Sequence, residues 1–383
     1  MIDTSHDGVT VRWPDDTTSF YHYVWLRSCC YCETCGSTYT GERFLQPSDV
    51  PSETTARRVS VNTNQLMRVE WDDGHKSVYD LDWLRQHDYA AAQLQTRRFL
   101  PKLWDAGISD APPTHDYSAC KDDTQSYLTF LRDVRDFGFA VITGAPVGAE
   151  EIVKVAGLIG ELADAAYSRI FDLKPDFAHS LGNTFHPVAP HTDEAYLHNP
   201  TGIQVLYCLH PADEGGDTIL VDGFKLATEL KRCDPGAFDL LKSQPQTFMR
   251  VVPDDGVYQY TRARVLVTDE HDNPVGIRFH TRTMAPMDVE PEVVRDVHAA
   301  NAALSQLMLE PGFQARLKLG AGEAVVFDNH RVLHSRTGFS DSRRHLQICN
   351  VSRETFHQKL RFTANSQGFN DEANQVLPAG ACG

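Results

Sequence analysis

The chain has 383 residues, of which 41% are hydrophobic, 10% aromatic and 23% charged, with a formal net charge of −16. That is enough chain to bury two or three cores, and no stretch approaches the roughly 18 continuous apolar residues of a membrane-spanning helix. The negative field repels phosphate backbones, which sets nucleic acid aside as a partner; the start "MIDTSHDGVTVRWPDD" lacks a basic-then-apolar export signal, so a cytoplasmic location without a membrane partner is expected.

Residues 8–26, "GVTVRWPDDTTSFYHYVWL", alternate apolar and polar around a polar turn and predict a β-hairpin. "RRVSVNTNQLMRVEWDDGHKSVYDLDWL" predicts two or three further strands with a DDG turn at 72–74. Residues 1–98 therefore form an N-terminal β-rich domain, and Pro101, Pro112 and Pro113 mark 99–124 as a linker. A second domain is expected over 125–365, with a polar tail over 366–383. It opens with the helix "QSYLTFLRDVRDFG", the strand "FAVITGAP" and the helix "AEEIVKVAGLIGELA". From Ile203 the pattern is mostly β: "IQVLYCLH", "DTILVDG", "RARVLVTD", "VGIRFHT", "EAVVFDN", "RVLHSR" and "RHLQICNVSR". Helices are expected in "GFKLATELKRCDPGAFDLLKS" and "PEVVRDVHAANAALSQLML". Many short strands with helices outside them point to a mostly β fold, a barrel or jelly roll. No internal repeat is evident.

Nine cysteines are present, and four crowd into "CCYCETC", residues 29–35. Cys120, Cys208, Cys233, Cys349 and Cys382 are scattered and are expected as buried or tail thiols. An odd count with one tight cluster argues for a metal rather than a disulfide framework. Cys30, Cys32 and Cys35 have C-x-C-x-x-C spacing, and zinc needs a fourth ligand to close its tetrahedron. His75, in the turn "DDGHKS", is the best candidate. Cys29 can exchange with Cys30 in this reading. A closed site of four protein ligands is structural and staples a small module. A nucleic-acid-binding zinc module is disfavoured by the few Lys and Arg between Cys29 and Pro51.

In "APHTDEAY", His191 and Asp193 are two apart, so on a strand they face the same way. Two histidines and one carboxylate on one face of an octahedron leave three open positions, the arrangement of non-haem Fe(II) oxygenases. His334, at the end of "EAVVFDNHRVLHSRTGF", supplies the second histidine. Arg344, ten residues on, suits a bidentate pair with the far carboxylate of 2-oxoglutarate. Thr218 in "GGDTIL" offers a hydroxyl to the same carboxylate. Each residue alone has a bland reading, as strand-end histidine, surface charge or β-former; their joint occurrence in order carries the functional one.

These motifs resemble the taurine-dioxygenase superfamily of Fe(II)/2-oxoglutarate oxygenases. "WLRSCCYCETC" with "DGHKSVYDLDWL" narrows the resemblance to the group of γ-butyrobetaine and trimethyllysine dioxygenases, over about residues 8 to 360. The resemblance implies a double-stranded β-helix (jelly-roll) catalytic domain, a small N-terminal zinc domain and a homodimer. It implies His191, Asp193 and His334 as iron ligands, Arg344, Thr218 and Leu206 at the co-substrate, and Cys30, Cys32, Cys35 and His75 at zinc. Asp193 counts against a halogenase, where a small residue frees a position for chloride.

Members of that group hold a trimethylammonium group in an aromatic cage, a cation–π use. Tyr167 and Phe171 match part of such a wall. Asn183, Glu194 and Asn350 stand where aromatics are expected, and Ser180 and "FHTRT", with His280 and Arg282, stand where the group uses asparagines. Glu194 and the asparagines suit a primary ammonium, whose N–H groups a quaternary one lacks; Arg282 or Arg169 suits a carboxylate, phosphonate or sulfonate. The expectation is hydroxylation of an unactivated C–H on a small zwitterionic amine: a betaine, amino acid or aminophosphonate. Desaturation or ring closure by the same site is one alternative. A zinc-stapled interaction protein with a vestigial oxygenase domain is another, as is a cupin-like metalloenzyme that does not use 2-oxoglutarate.

Overall fold

The computed structural model describes residues 1–164, 168–175 and 181–381. They form two compact units, Met1–Arg98 and Phe99–Gly383.

The first unit holds two three-stranded antiparallel sheets, β1 (Ile2–Thr4), β2 (Gly8–Arg12) and β3 (Thr18–His22), then β4 (Ala56–Val61), β5 (Leu66–Trp71) and β6 (Lys76–Asp80). The hairpin expected over 8–26 stops at His22. Tyr23–Ser28 is a short helix, because Tyr23 and Leu26, one turn apart, both reach the core. A duplication invisible to a search for long periodicity emerges here. Trp13, Asp15, Ser19, Tyr21, Trp25, Leu26 and Arg27 recur in order as Trp71, Asp73, Ser77, Tyr79, Trp83, Leu84 and Arg85. Each copy is a hairpin followed by a short helix. The indole N–H donates to the serine hydroxyl in both copies, at 2.7 Å from Trp13 to Ser19 and 2.8 Å from Trp71 to Ser77. Turn residues Asp16 and Gly74 both take positive φ, 64° and 86°.

The copies clasp each other reciprocally. The Tyr21 hydroxyl donates to the Leu84 carbonyl at 2.7 Å, and that of Tyr79 to the Leu26 carbonyl at 2.5 Å. Arg85 pairs with Asp15, and Arg27 with Asp73. Trp25 and Trp83 stack with centroids 5.8 Å apart. The unit is a pseudo-twofold pair of hairpins around one core.

The second unit carries β7 (Thr114–Asp116), β8 (Phe139–Thr143), β9 (Ile170–Leu173), β10 (Val188–His191), β11 (Ile203–His210), β12 (Thr218–Asp222), β13 (Gln246–Val252), β14 (Val257–Ala263), β15 (Leu266–Thr268), β16 (Pro274–Ile277), β17 (Ala315–Leu317), β18 (Ala324–Asp328), β19 (Val332–Arg336) and β20 (His345–Val351). One sheet runs β7-β8-β18-β11-β20-β9 and a second runs β10-β19-β12-β17. Only β7 and β8 are parallel in these two sheets. This is the expected jelly roll. Between the sheets lies a core of Phe139, Leu206, Leu220, Val325, Phe327 and Leu346. Helix Thr124–Phe137, capped by Asp123 and stopped at Gly138 (φ 78°), covers the outer face of the larger sheet. Helices Gly223–Cys233, Pro235–Ser243 and Val294–Leu309 bring Leu226, Leu241 and Leu304 into one cluster with Ile219, Val221 and Leu333 of the smaller sheet. Strand β11 is apolar from Val205 to Cys208 because Val205 and Tyr207 enter the helix-side core while Leu206 and Cys208 enter the inter-sheet core.

Three expectations change. Residues 99–124 are no free linker: β7 joins the larger sheet, Tyr117 and Cys120 are buried, and the Trp104 indole donates to the Phe137 carbonyl at 2.6 Å. The tail over 366–383 is packed as far as Ala381: Glu372 pairs with Arg132 and Arg135, and Ala381 is buried. Helix Glu151–Ala156 ends well short of residue 163: from Gly157 the chain tightens into turns, with the Leu158 N–H on the Val155 carbonyl and the Ile159 N–H on that of Ala156. Among the cysteines, Cys233 is exposed.

The reciprocal tyrosines yield a test. Tyr21→Phe and Tyr79→Phe each remove one of two donors to a carbonyl, since the His87 N–H also reaches the Leu84 carbonyl and the Cys29 N–H that of Leu26, so each is expected to cost about 0.5–1.5 kcal/mol. Urea unfolding of the full chain, followed by tryptophan fluorescence, measures both losses, and the pseudo-symmetry predicts that they are alike.

Candidate active site and metal centres

β10 and β19 pair antiparallel with His191 directly opposite His334. Their rings approach to 4.3 Å between centroids. Asp193 lies just past the end of β10, with Oδ1 3.3 Å from His191 Nε2 and Oδ2 3.7 Å from His334 Nε2. All three donor atoms lie within 4.8 Å of one another. His191 Nδ1 lies 2.9 Å from the Ala189 carbonyl. A carbonyl only accepts, so Nδ1 carries the proton and Nε2 presents its lone pair to the cluster.

Asp193 is held by its backbone as well. Asn329, buried in the β18–β19 turn, accepts from the Asp193 N–H at 2.7 Å and donates to its carbonyl at 3.0 Å. The same amide donates to Thr201, which locks it. Burial opposes ionisation of Asp193, yet the adjacent imidazoles, His334 foremost, hold its carboxyl well below the usual range. Burial pushes His334 down to about 3 and His280, 4.6 Å from His191 between ring centroids, down to about 2. A carboxylate with two imidazoles is the donor set of a divalent iron site, and the residues fit that ion.

A cavity of about 480 Å³ opens from the triad. Leu206, Thr218 and Arg344 line one part of it. Arg344 directly precedes β20; it is 3% exposed and donates to the Gly216 carbonyl. Burial lowers it to about 10, so it remains a cation. Gly216, at φ 67°, admits no side chain: a Cβ would meet Arg344 Nε at 2.8 Å. The "GGDT" turn is thus shaped around that guanidinium.

Phe171, Glu194, Arg282 and Asn350 also line the cavity, as does His280. Glu194 is buried with φ 55°, a left-handed backbone unusual for glutamate, beside Asp193. Arg282, on the 3₁₀ turn Thr281–Thr283, brings Nη2 to 3.1 Å from His191 Nε2. Asn183 is buried but does not line the cavity; Arg336 grips the carbonyl of Gly182, and it is Gly182 that does. Arg169 turns to the Leu162 carbonyl instead. Tyr167 and Ser180 lie outside the described residues. Met249–Val252 of β13 form a wall the sequence reading missed, as does Gln204. β13 carries no motif; only the fold brings it over the site. Gln204 had a signal, a lone amide inside the apolar run of β11.

In the first unit, Cys30, Cys32 and Cys35 place their sulfurs 3.4, 3.6 and 3.6 Å from His75 Nε2. Tetrahedral zinc with Zn–S near 2.3 Å and Zn–N near 2.1 Å requires about 3.5–3.6 Å between S and N, so the set fits zinc closely. Cys29 stands outside the cluster. Arg27 donates to Cys35 Sγ at 3.4 Å. Burial works against ionisation of Cys32, but hydrogen bonds from Thr34, Cys35 and Cys30 together outweigh it and bring the thiol to about 7.

Fold and donor sets together define the class: a non-haem Fe(II) dioxygenase that consumes 2-oxoglutarate, with a structural zinc. Residues 101–350 match the family described as taurine catabolism dioxygenase TauD, TfdA, and residues 2–85 match the γ-butyrobetaine hydroxylase-like N-terminal family. The chain is 32% identical over 359 residues to γ-butyrobetaine dioxygenase of Pseudomonas sp. (strain AK-1), covering 92% of this chain and 93% of that protein. It is 29% identical over 353 residues to mitochondrial trimethyllysine dioxygenase of Rattus norvegicus, covering 87% and 80%. A crystal structure of asparagine oxygenase with Fe(II), 3-hydroxyasparagine and succinate shares the fold, with TM-score 0.50 and 18% identity over 68% of this chain and 84% of that one. The chain belongs to the TauD, TfdA dioxygenase family.

The zinc cluster predicts the outcome of one substitution. Cys35→Ser is expected to lower bound zinc from about one per chain to well below that and to destabilise the first unit by several kcal/mol. Metal analysis alongside thermal unfolding checks both, and full zinc retention would reject Cys35 as a ligand.

Proposed function

We propose that the protein hydroxylates an unactivated C–H of a small zwitterionic amine, within the group of betaines, amino acids and aminophosphonates. The observation that carries this is one cavity that joins the triad, the buried Arg344, and two further charged groups of opposite sign, Glu194 and Arg282. His191, Asp193 and His334 hold Fe(II). Arg344 and Thr218 bind the far carboxylate of 2-oxoglutarate, and Leu206 covers its methylene chain. Cys30, Cys32, Cys35 and His75 hold zinc. When bound, Fe(II) with 2-oxoglutarate and O2 supplies the oxidising power, and 2-oxoglutarate leaves as succinate and CO2.

The chain's own task is placement. Glu194 receives the substrate ammonium, Arg282 receives its anionic end, and Phe171 with Met249–Val252 excludes water from the carbon between. Asn350 contributes a further polar contact on the wall, with Tyr167 as the remaining candidate of that shell. The relatives' names specify trimethylated amines; Glu194 and Asn350 suit an ammonium that keeps at least one N–H. The reading includes a cytoplasmic homodimer acting on a soluble small molecule, apart from nucleic acid and membranes; no helix among the described residues is long and apolar enough to cross a membrane.

The deciding experiment is O2-dependent succinate formation from 2-oxoglutarate across γ-butyrobetaine, its unmethylated analogue, amino acids and aminophosphonates. Stimulation by an N–H-bearing zwitterion supports the reading; stimulation by γ-butyrobetaine alone keeps the zwitterion class but rejects the N–H contacts of Glu194 and Asn350, and stimulation by none of these compounds rejects the reading whole. Two substitutions refine it. Arg344→Ala removes a charge-assisted pair worth about 1.5–3 kcal/mol and is expected to raise the KM for 2-oxoglutarate by roughly 10- to 100-fold. Glu194→Gln and Arg282→Ala are each expected to raise the KM of the stimulating substrate by about tenfold while leaving that for 2-oxoglutarate within about threefold. Unchanged substrate KM in both would remove them from the pocket.

A further inference from the structure

The two oxygens of Asp193 stand in different surroundings. Each faces an imidazole, Oδ1 that of His191 (3.3 Å to Nε2) and Oδ2 that of His334 (3.7 Å to Nε2), but a side-chain amide reaches Oδ2. Oδ2 accepts an N–H from Gln204 Nε2 at 3.1 Å. Gln204 is 2% exposed on β11, and the same nitrogen donates to Asn350 Oδ1 at 3.0 Å. Gln204 and Asn350 are direct partners in the β11–β20 register, so the sheet holds the amide in place. A carboxylate only accepts, which fixes the amide with its NH2 toward Asp193. Both amide hydrogens are then committed, one to the carboxylate and one to Asn350.

We infer that Gln204 is a positioning residue that restricts Asp193 to one oxygen as a metal ligand and thereby keeps one position on the iron open for O2. The inference rests on the iron site proposed above. Two imidazoles and a single carboxylate oxygen leave three places on an octahedral ion. 2-Oxoglutarate, bound through its ketone and near carboxylate, takes two. An unrestrained carboxylate can close on the ion with both oxygens and take the third. The hydrogen bond at Oδ2 opposes this, because that rotation would strip a buried amide of its charged acceptor. The anchor reaches beyond the metal: Asn350 lines the cavity, so the residue that restrains Asp193 is itself fastened to the substrate wall.

The test uses the full chain without O2. Gln204→Leu and Gln204→Met delete the donor at similar volume, and a thermal melt establishes which of them keeps the fold. Fe(II) is added first, then 2-oxoglutarate, whose chelation is read from its visible charge-transfer band. Nitric oxide, a stand-in for O2, is then titrated and read by electron paramagnetic resonance. The expected result is Fe(II) and 2-oxoglutarate affinity within about threefold of wild type and nitric oxide affinity lower by about tenfold or more, the size of one charge-assisted hydrogen bond. Nitric oxide affinity within about threefold of wild type in a folded variant overturns the inference, as does a proportionate loss of all three ligands, which marks a general structural role. Failure of the wild-type protein to bind Fe(II) is a different result and removes the iron reading itself.

Discussion

The antiparallel pairing of β10 with β19 sets His191 opposite His334, and everything proposed for the site depends on that register. Side chains alternate along a strand, so a slip of one residue would turn one imidazole to the other face of the sheet and dissolve the triad. The register is held from several directions. β19 pairs with β12 on its other edge, where Leu220 meets His334. Leu220 sits in the inter-sheet core, and Leu333 enters the helix-side cluster on the opposite face. The apolar pattern that builds the jelly roll and the polar pattern that builds the site are one alternation read on the same strands.

The ends of those strands are fastened by buried polar groups rather than by packing alone. Arg331 joins Asp222 through two hydrogen bonds and reaches the carbonyls of Asp136 and Lys102. Arg278 donates to the carbonyls of Ala195, Leu197 and His198 and to that of Ala381 in the tail. Each guanidinium spans several chain segments because its donors form a rigid fork that can be satisfied only where acceptors converge. An unpaired charge at such depth is expensive, so these loops have little freedom to rearrange. Asn329 does the same for Asp193 by pairing with its backbone as a neighbouring strand would. A metal site that must keep open positions cannot rely on the ion to organise its ligands, and here the scaffold organises them.

The N-terminal unit solves a different problem. Its two hairpin copies exchange tyrosine and arginine contacts and share one core. The long connection between the copies has little regular structure and carries Cys30, Cys32 and Cys35. His75 comes from the turn of the second copy. A cation bound there ties the connection to the second hairpin, a constraint that a core of this size does not supply alone.

Much of this was legible in the chain itself. H-x-D, the distal histidine with its arginine, and C-x-C-x-x-C are each set by local geometry: two residues on one strand face, or three thiolates on one tight loop. The helix from Thr124 to its glycine stop and the apolar strands followed from periodicity in the same way; periodicity left barrel and jelly roll open, and the family resemblance chose the jelly roll. What local pattern does not contain is which distant segments meet. The packing of residues 99–124 and of the tail, the burial of Asn183 outside the cavity lining, and the β13 wall all arise from contacts between segments far apart in sequence. The hairpin duplication is present in the sequence, but only its reciprocal tyrosines and arginines give the spacing a meaning. Gln204 is the sharpest case. The sequence determined that an amide sits within an apolar strand; the tertiary structure decided that it faces the Asp193 carboxylate, because sheet register, a property of two strands together, aims a side chain.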